Sequence, residues 1–382
     1  MSLIGTWMQS VATGWLALQL SNSPFMVGLV SAAGLFPVLV LSLFGGVVAD
    51  RYNKLRLVTI AQALLLVQAM TLWWFTASKE LTIGWLLGLT TLNGLISAFE
   101  IPARQSFIVE LVGREDLVDA IVLNSGGFNL ARIVGPSIAA LTIGTLGLQW
   151  CFAFNSLSYL AVLAGLFLIR LPPWVRSPDA QSSLDGIKGG FAYIRETPVV
   201  AVLIRVIGVY AIFGLPILAM MPVIARDVLR TNAAGYGFLL TCVGIGALAG
   251  ALSLAWLGRQ VRRGKLFIIS SYIFAAALLL FCLLPWHVLA VSATILIIIG
   301  FAMLLNGSLA NGLLQSIVPD ELRGRVISAY ILVYVGLAPI GSFIAGAAAN
   351  AFGVLWAIGG GAIIMLLYGL WAFSKHPELR AV

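Results

Sequence analysis

Twelve apolar runs, each about as long as one membrane crossing, follow one another along this chain of 382 residues. A helix that spans the hydrocarbon core of a bilayer needs about 20 predominantly apolar residues. Apolar residues make up 61% of the chain and charged residues only 9%, whereas a soluble domain carries roughly 25% charged residues. One globular core could not bury this much apolar surface, so the pattern predicts an all-α membrane protein.

The runs are separated by short segments rich in Pro, Gly, Asn and Ser, as at Ser21-Asn22-Ser23-Pro24 and Leu171-Pro172-Pro173. The first run begins at Leu3 and is short for a span, so we expect a first helix that is truncated. The predicted spans cover residues 3–20, 25–49, 57–77, 81–101, 119–144, 148–170, 198–224, 234–257, 265–285, 288–314, 325–350 and 353–373.

Lysine and arginine are unevenly distributed between the loops. The loops after spans 2, 4, 6, 8 and 10, with the C-terminal tail, hold 17 of the 22 basic residues, while the opposite loops hold 3. Cytoplasmic loops of membrane proteins carry the excess of positive charge. We therefore expect a multi-pass protein of the cytoplasmic (inner) membrane with both termini in the cytoplasm. Because topology explains the net charge of +8, the expected partner is the lipid bilayer and no nucleic acid.

The two halves of the chain repeat one another at a distance of about 209 residues. Gly28 and Gly237 occupy matching places after a short outer loop, and Gln105-Ser106 matches Gln315-Ser316. Such a period indicates one six-helix unit used twice, with a solute site between the halves near the middle of the bilayer. The predicted domains are an N-terminal six-helix half at 1–170, a cytoplasmic linker with an amphipathic helix at 171–197, and a C-terminal six-helix half at 198–382.

Motifs that mark enzymes or nucleotide-driven pumps do not occur in the sequence. A GxxxxGK[ST] phosphate loop is missing, and no HExxH, GxSxG or paired-carboxylate arrangement stands out. Cys151, Cys242 and Cys282 lie far apart in apolar runs, and His287 and His376 form no metal pair. We therefore expect a protein that is not an enzyme and has no catalytic residues, cofactor or metal site. An intramembrane enzyme is the alternative from another class.

A basic hairpin between the second and third spans holds the strongest local motif, Gly46-xxx-Asp50-Arg51-x-Asn53-Lys54-x-Arg56. Asp50 ends a helix, where its charge opposes the negative end of the helix dipole. It should therefore need a partner, such as Arg104 or the helix that starts at Pro319-Asp320-Glu321. Such a latch would hold one conformation of a carrier; alternatively, the cations only set the topology. The predicted cytoplasmic gate comprises Gly46, Asp50, Arg51, Lys54, Arg56 and Arg104.

This hairpin resembles the signature of the major facilitator superfamily, with Asn53 where a glycine is common. The segments GTWMQSVATGWLALQL, PARQSFIVELVGREDL, NSGGFNLARIVGP and VPDELRGRVISAY are similar to the subgroup that includes the enterobactin exporter and related efflux proteins. The resemblance covers nearly the whole chain, and relative to the subgroup we expect the cytoplasmic tail and the first part of helix 1 to be missing. It implies a secondary active exporter of a small amphiphilic solute, of drug or siderophore type, that works by alternating access. An importer or facilitator of a small organic solute is the alternative.

Proton antiport is the expected energy source, because the sequence has no nucleotide site. Glu100 is the only acid placed inside a span, and Arg104 follows it by one helical turn. A partly desolvated carboxyl beside a movable cation can take up and release a proton; a static Glu100–Arg104 pair is the alternative. Gly135-Pro136 resembles the core of the antiporter motif, with alanines in place of two flanking glycines, while Thr90 stands where many drug antiporters carry arginine. We expect a monomer whose partners are a small-molecule substrate and protons.

An arginine in the fifth span is the costliest residue to place in the membrane, at roughly 2.5–3.5 kcal/mol on insertion scales. Ser125, Asn129, Arg132 and Pro136 share one helix face, at spacings of 4, 3 and 4, and should face the cavity. Arg132 would pair with an anionic substrate group or a carboxylate, or is a structural arginine; other polar residues in spans often only bond neighbouring helices. Glu100 and Arg132 are the coupling candidates. The substrate-cavity candidates are Gln9, Thr13, Asn93, Ser125, Asn129, Arg132, Asn311, Tyr330 and Tyr334.

Overall fold

The computed structural model describes residues 2–113, 115–169, 192–257, 262–283 and 288–380. All regular structure within these ranges is helical, and short turns join most of the helices. The first six helices are α1 (Ser2–Ser21), α2 (Pro24–Arg51), α3 (Lys54–Ala77), α4 (Ile83–Val112), α5 (Leu117–Thr145) and α6 (Gln149–Leu168).

Two of the later spans are interrupted at prolines. Pro216 starts α8 directly after α7, and Pro339 lies in the first turn of α13 directly after α12. A proline lacks the N–H that would bond back to the preceding turn, so the helix breaks there. The later helices are α7 (Pro198–Phe213), α8 (Pro216–Val223) with a π-helical turn (Ile224–Val228), α9 (Ala233–Leu257), α10 (Arg263–Leu283), α11 (Leu289–Ile317), α12 (Asp320–Gly336), α13 (Ala338–Phe352), α14 (Val354–Lys375) and a 3-10 turn (Pro377–Arg380).

Counted with each interrupted pair as one, the described residues form twelve spans, of which 10 are long and apolar enough to cross a membrane. The other two are α1 and α5, whose sequences carry several polar side chains. The predicted all-α membrane fold is confirmed. The predicted amphipathic helix of the linker lies mostly outside the described residues, and so does the basic segment 258–261.

The outward surfaces of the helices expose many large apolar side chains. Val67 on α3, Leu123 on α5 and Trp256 on α9 expose 60%, 78% and 88% of their surface, respectively. Large apolar side chains exposed in this density would cause aggregation in water, whereas lipid tails solvate them without cost. The exposed surfaces are therefore those of helices that face a bilayer.

The helices form two compact units. Unit 1 comprises Met1–Asn22, Val30–Ser183 and Ala233–Phe238, and unit 2 comprises Ser23–Leu29, Leu184–Asn232 and Leu239–Val382. In unit 1, α3 packs against α4 and α6 around Leu65, Ile96 and Tyr159. The core of unit 2 is larger, and Ile207, Phe267 and Leu309 are among its buried residues.

The internal repeat is visible as one helix crossing that occurs in both units. In unit 1, Gly94 of α4 lies so close to the carbonyl oxygen of Gly34 on α2 that no Cβ would fit. In unit 2, Gly300 of α11 lies equally close to the carbonyl oxygen of Val243 on α9. The glycines are 206 positions apart and the carbonyls 209, so the sequence period corresponds to a repeated backbone contact.

The beginnings of α2 and α9 belong to the opposite unit from the rest of their helices. In unit 2, Ser23 Oγ donates a hydrogen bond of 3.1 Å to Asn350 Oδ1, and a Cβ on Gly28 would lie 2.5 Å from the carbonyl oxygen of Ser342. In unit 1, a Cβ on Gly237 would lie 2.9 Å from the carbonyl oxygen of Pro136. Each compact unit therefore contains one short segment from the other half of the sequence. The predicted division into halves at 1–170 and 198–382 stays a prediction.

We predict that Gly94→Leu lowers the stability of the protein by about 1–3 kcal/mol or more, because overpacking forces backbones apart. The matched control is Gly88→Leu on the same helix, where no atom lies within 4 Å of an added Cβ. Thermal unfolding of the detergent-purified variants, followed by size-exclusion chromatography, measures the difference. Equal stability of the two variants would contradict the repeated crossing.

Candidate functional site

Asn93, Ser97, Glu100 and Arg104 share one face of α4, at spacings of 4, 3 and 4, and this polar stripe contains a buried ion pair. Glu100 is 6% exposed, and its Oε1 accepts hydrogen bonds from Arg104 Nε at 2.9 Å and from Gln62 Nε2 of α3 at 3.2 Å. The Arg104 side chain retains 32% exposure, against 8% for that of Glu100. Asn93 and Ser97, further along the same stripe, are half-buried. The structure thus gives the predicted coupling carboxyl two donors, one charged and one neutral.

Gln9, predicted as a cavity residue, lies instead inside a buried amide network of unit 1. Its Nε2 donates to Gln68 Oε1 at 3.1 Å, and its Oε1 accepts from Asn155 Nδ2 at 2.8 Å. Gln68 Nε2 in turn donates to the carbonyl oxygen of Leu89 at 3.1 Å. Gln9 is 7% exposed, Gln68 1% and Asn155 0%. This placement favours a role in holding α1, α3, α4 and α6 together; Thr13, one turn further, is half-buried.

The α5 stripe is the more open of the two polar stripes in unit 1. Ser125 is exposed, and Asn129 Nδ2 donates to its carbonyl oxygen at 2.9 Å. Arg132 follows on the same face and is half-buried. The neighbouring Phe128 makes an edge contact with Trp7 of α1, with ring centroids 6.1 Å apart. Polar groups on an otherwise apolar helix surface can hold the polar end of an amphiphilic solute.

The candidates of unit 2 divide between α11 and α12. Tyr330 stacks on Tyr334 with ring centroids 5.8 Å apart and an interplanar angle of 7°. The Tyr330 hydroxyl donates to the carbonyl oxygen of Gly307 at 3.0 Å, and Tyr330 is 5% exposed. Asn311 Oδ1 accepts from Gln315 Nε2 at 2.9 Å. Tyr330 therefore braces α12 against α11, while the half-buried Tyr334 and Asn311 are the more accessible candidates.

The hairpin between α2 and α3 is ordered by a cap. Asn53 Oδ1 accepts from the backbone N–H of Arg56 at 2.9 Å, which satisfies a free donor at the start of α3. Lys54 forms an ion pair with Glu110 of α4. Sequence reasoning missed both partners, although Asn before a helix is a recognised capping signal.

Asp50 and Arg104, suggested above as partners, do not form an ion pair among the described residues of this structure. Arg104 pairs with Glu100, which lies one turn earlier on the same helix face, while Asp50 and Arg51 are exposed. Within the described part of unit 1 no ion pair involves Asp50. Gly46 is half-buried, with no atom within 4 Å of an added Cβ. The cytoplasmic gate therefore stays a prediction.

Among the described residues, no group of three or more His, Cys, Asp and Glu side chains could hold a metal ion. Sequence reasoning missed Gln62, which donates to Glu100, and the network residues Gln68 and Asn155. Their only sequence signal is a polar amide in an apolar run, and this signal does not reveal which helix supplies its partner.

Comparison with known proteins identifies relatives over nearly the full length. The profile of the family described as "Transmembrane secretion effector" matches residues 1–381. The staphyloferrin A transporter of Staphylococcus aureus is 24% identical, over 92% of this chain and 88% of its own. The enterobactin exporter EntS of Escherichia coli O1:K1 is 26% identical, over 98% and 91%. The multidrug efflux pump Tap of Mycolicibacterium fortuitum is 28% identical, over 98% and 93%.

Solved structures show the same fold at low identity. A D-xylose-proton symporter superimposes with a TM-score of 0.73 at 14% identity, covering 100% of this chain and 98% of its own. A peptide transporter, POT, reaches a TM-score of 0.76 at 12% identity, covering 100% and 93%. These similarities concern the fold alone.

We predict that Gln9→Leu destabilises the protein by about 1–3 kcal/mol, because it leaves the buried atoms Asn155 Nδ2 and Gln68 Oε1 without their partners. Gln19→Leu, at an exposed position of the same helix, is the control and should change stability little. Thermal unfolding in detergent measures both. If the Gln9→Leu protein were as stable as the wild type but impaired in transport, the result would instead support the predicted role of Gln9 in the substrate cavity.

Proposed function

Because the profile matches residues 1–381, the chain belongs to the transmembrane secretion effector family of the major facilitator superfamily, and we propose that it exports a small amphiphilic solute across the cytoplasmic membrane. The chain is a multi-pass membrane transporter. The observation that carries export is the full-length similarity to an enterobactin exporter and a multidrug efflux pump. A siderophore or a drug-like amphiphile is accordingly the proposed substrate class.

Alternating access is the proposed transport cycle. Two observations support it: the same α2–α4 and α9–α11 crossing recurs in the two units, and the first turns of α2 and α9 lie against α13 and α5, respectively. Contacts made through glycine backbones are short and contain few interlocked side chains. The first-turn contacts of α2 and α9, which join segments of the two sequence halves, can therefore separate and re-form as the solute is passed from one side to the other.

Proton antiport is the proposed source of energy. Glu100 supports it, because a buried carboxyl beside a half-exposed arginine can change its charge when its surroundings change. A carboxyl that binds a proton on one side of the membrane and releases it on the other links the gradient to the cycle. In this scheme both termini lie in the cytoplasm, as the distribution of basic residues predicts.

The α5 stripe is the proposed recognition surface for an acidic group of the solute. Arg132 supplies a permanent positive charge that can bind a carboxylate or catecholate, and Ser125 and Asn129 lie on the same face. The apolar remainder of the solute would contact apolar and aromatic side chains. Asn311 and Tyr334 are the proposed contributors from unit 2.

We predict that everted membrane vesicles accumulate ethidium or enterobactin only when their interior is acidic. Nigericin, which removes the pH gradient, should abolish the uptake, whereas valinomycin, which removes the electrical potential, should reduce it less. Vesicles without the protein supply the background rate. Uptake that is insensitive to nigericin would exclude proton antiport while leaving export open.

We predict that Arg132→Gln reduces enterobactin uptake at least about tenfold, because a lost charge-assisted contact is worth roughly 1.5–3 kcal/mol. Arg132→Lys, which keeps the charge and loses the planar fork, should retain partial uptake. Uptake of the cationic probe ethidium should fall less. If both variants transported enterobactin normally at equal membrane levels, Arg132 would not belong to the site.

A further inference from the structure

The buried carboxyl of Glu100 has a neutral neighbour, Gln62, whose side-chain amide is hydrogen-bonded through its nitrogen alone. Gln62 is 6% exposed, and its Nε2 donates to Glu100 Oε1 at 3.2 Å. Its other amide atom, Oε1, is buried and has no hydrogen-bond partner among the described residues. A buried acceptor left without a partner costs about 1–3 kcal/mol. The arrangement therefore contains an acceptor that any additional hydrogen-bond donor in reach would stabilise.

The internal repeat supplies a comparison for this pair. With α4 and α11 aligned by the glycine crossing, at 206 positions, and α3 and α10 by the sequence period of 209, the residues of unit 2 that correspond to Glu100 and Gln62 are Asn306 and Ser271. Asn306 Nδ2 donates to Ser271 Oγ, Asn306 is 0% exposed, and its Oδ1, like Gln62 Oε1, has no hydrogen-bond partner among the described residues. The same contact between neighbouring helices thus forms there without a titratable group. A neutral pair is enough for packing, so the carboxyl in unit 1 is not required by the fold.

The acid is accompanied by two further differences between the repeats. The positions of unit 2 that correspond to Pro102 and Arg104 are Ser308 and Ala310. Only the unit 1 copy therefore combines an acid, a cation and a proline within one turn of helix.

Pro102 makes α4 weak at the point that the ion pair spans. A proline has no N–H, so the carbonyl group of Ala98, four residues earlier, lacks its helical donor. Gly45 of α2 lies against this carbonyl, closer than a Cβ would allow. The bond from Arg104 to Glu100 links the turns before and after Pro102. It can replace the missing backbone bond for as long as Glu100 is charged.

We propose that Gln62 and Glu100 form one proton-binding site in which the Gln62 amide turns over when Glu100 is protonated. In the charged state Nε2 donates to the carboxylate, as the structure shows. In the protonated state the new carboxyl O–H donates to Gln62 Oε1. The bond from Arg104 weakens, and α4 is free to bend at Pro102. This inference rests on the proposed proton coupling. It adds Gln62 as a second residue of the proton site and the bend of α4 at Pro102 as the structural response.

The proposed step is balanced in protons and in hydrogen bonds. One proton passes from water to a Glu100 oxygen, and no other covalent bond forms or breaks. An amide places either its NH₂ or its oxygen toward the carboxyl, so each orientation leaves one of the two groups without a partner. Because the two orientations of the Gln62 amide each leave one polar group unpaired, their free energies are similar. The protonation of Glu100 is then sufficient to determine which orientation is favoured. Arg104, being the more exposed partner, can be hydrated when released.

Few other titratable groups face this site. Tyr159 of α6 interacts electrostatically with Glu100, and α1 contains no titratable side chain. Arg132 lies in the middle of α5. The remaining groups of the unit 1 helices lie near helix ends: Asp50, Arg51, Lys54, Arg56, Glu110, Asp119 and Cys151. Arg104 is the only charged group hydrogen-bonded to Glu100 among the described residues.

Infrared difference spectroscopy of the purified full-length protein, titrated with acid, tests the proposal without a transported substrate. The wild-type protein should show a protonated carboxyl C=O band that Glu100→Gln removes. With glutamine labelled by ¹³C at Cδ, an amide C=O band should move to lower frequency in step with the carboxyl band. Gln62→Leu and Gln62→Met should both lose this amide signal and shift the carboxyl band.

The control variants are Ser271→Ala and Asn306→Ala, which alter the equivalent pair of unit 2 and should leave both bands unchanged. A carboxyl band that is insensitive to Gln62→Leu and Gln62→Met, or a wild-type amide band that does not follow protonation, would overturn the proposal. If the Leu variant fails to fold, the labelled wild-type spectrum alone still decides.

Ethidium uptake by everted vesicles separates this inference from the proposed function. The Gln62→Leu variant should shift the pH midpoint of gradient-driven uptake upward by about 0.5–1 pH unit, because a charged acceptor loses the stronger hydrogen bond. Gradient-driven uptake with an unshifted midpoint would reject the Gln62 switch and keep proton antiport. A coupled infrared signal with gradient-independent uptake would keep the switch and reject antiport.

Discussion

Lipid offers no hydrogen bonds, and this constraint decides where every polar side chain of the spans must be placed. A polar group that faces hydrocarbon costs several kcal/mol unless another helix satisfies it. The amides of Gln9, Gln68 and Asn155 meet the requirement by bonding one another between four helices. Their network is a structural solution. The α5 stripe, with Ser125 exposed and Asn129 and Arg132 half-buried, is by contrast the surface we propose for the solute.

The same constraint gives the repeated helix crossing its form. Apolar side chains that face lipid are already in an apolar solvent, so burying them between helices gains little free energy. Helices in a bilayer therefore associate largely through close approach of their backbones. Gly94 against Gly34 and Gly300 against Val243 are two instances of this contact. Because the contact depends on backbone shape alone, it tolerates divergence of the surrounding side chains. Glu100 and Asn306 could thus diverge, one titratable and the other neutral, within one architecture.

Hydropathy and loop charge were enough to predict the spans, because both follow from the partition of single residues between water and lipid. The polar positions on α4 and α5 could also be found, since helical spacing is visible in one segment. Partners could not be predicted: that Gln9 bonds Asn155, or that Arg104 turns to Glu100 and not to Asp50, depends on how distant segments meet. Gln62 was missed for the same reason.

A carrier needs two states of similar energy, and a fully satisfied site would not provide them. The Gln9 network has every amide group engaged in holding four helices and therefore favours one arrangement. The Glu100 site leaves Gln62 Oε1 unsatisfied and relies on an ion pair across a proline. A small change in charge can therefore alter its preferred arrangement. In the proposed cycle, the incompletely bonded site is therefore the place where a proton gradient would act on the fold.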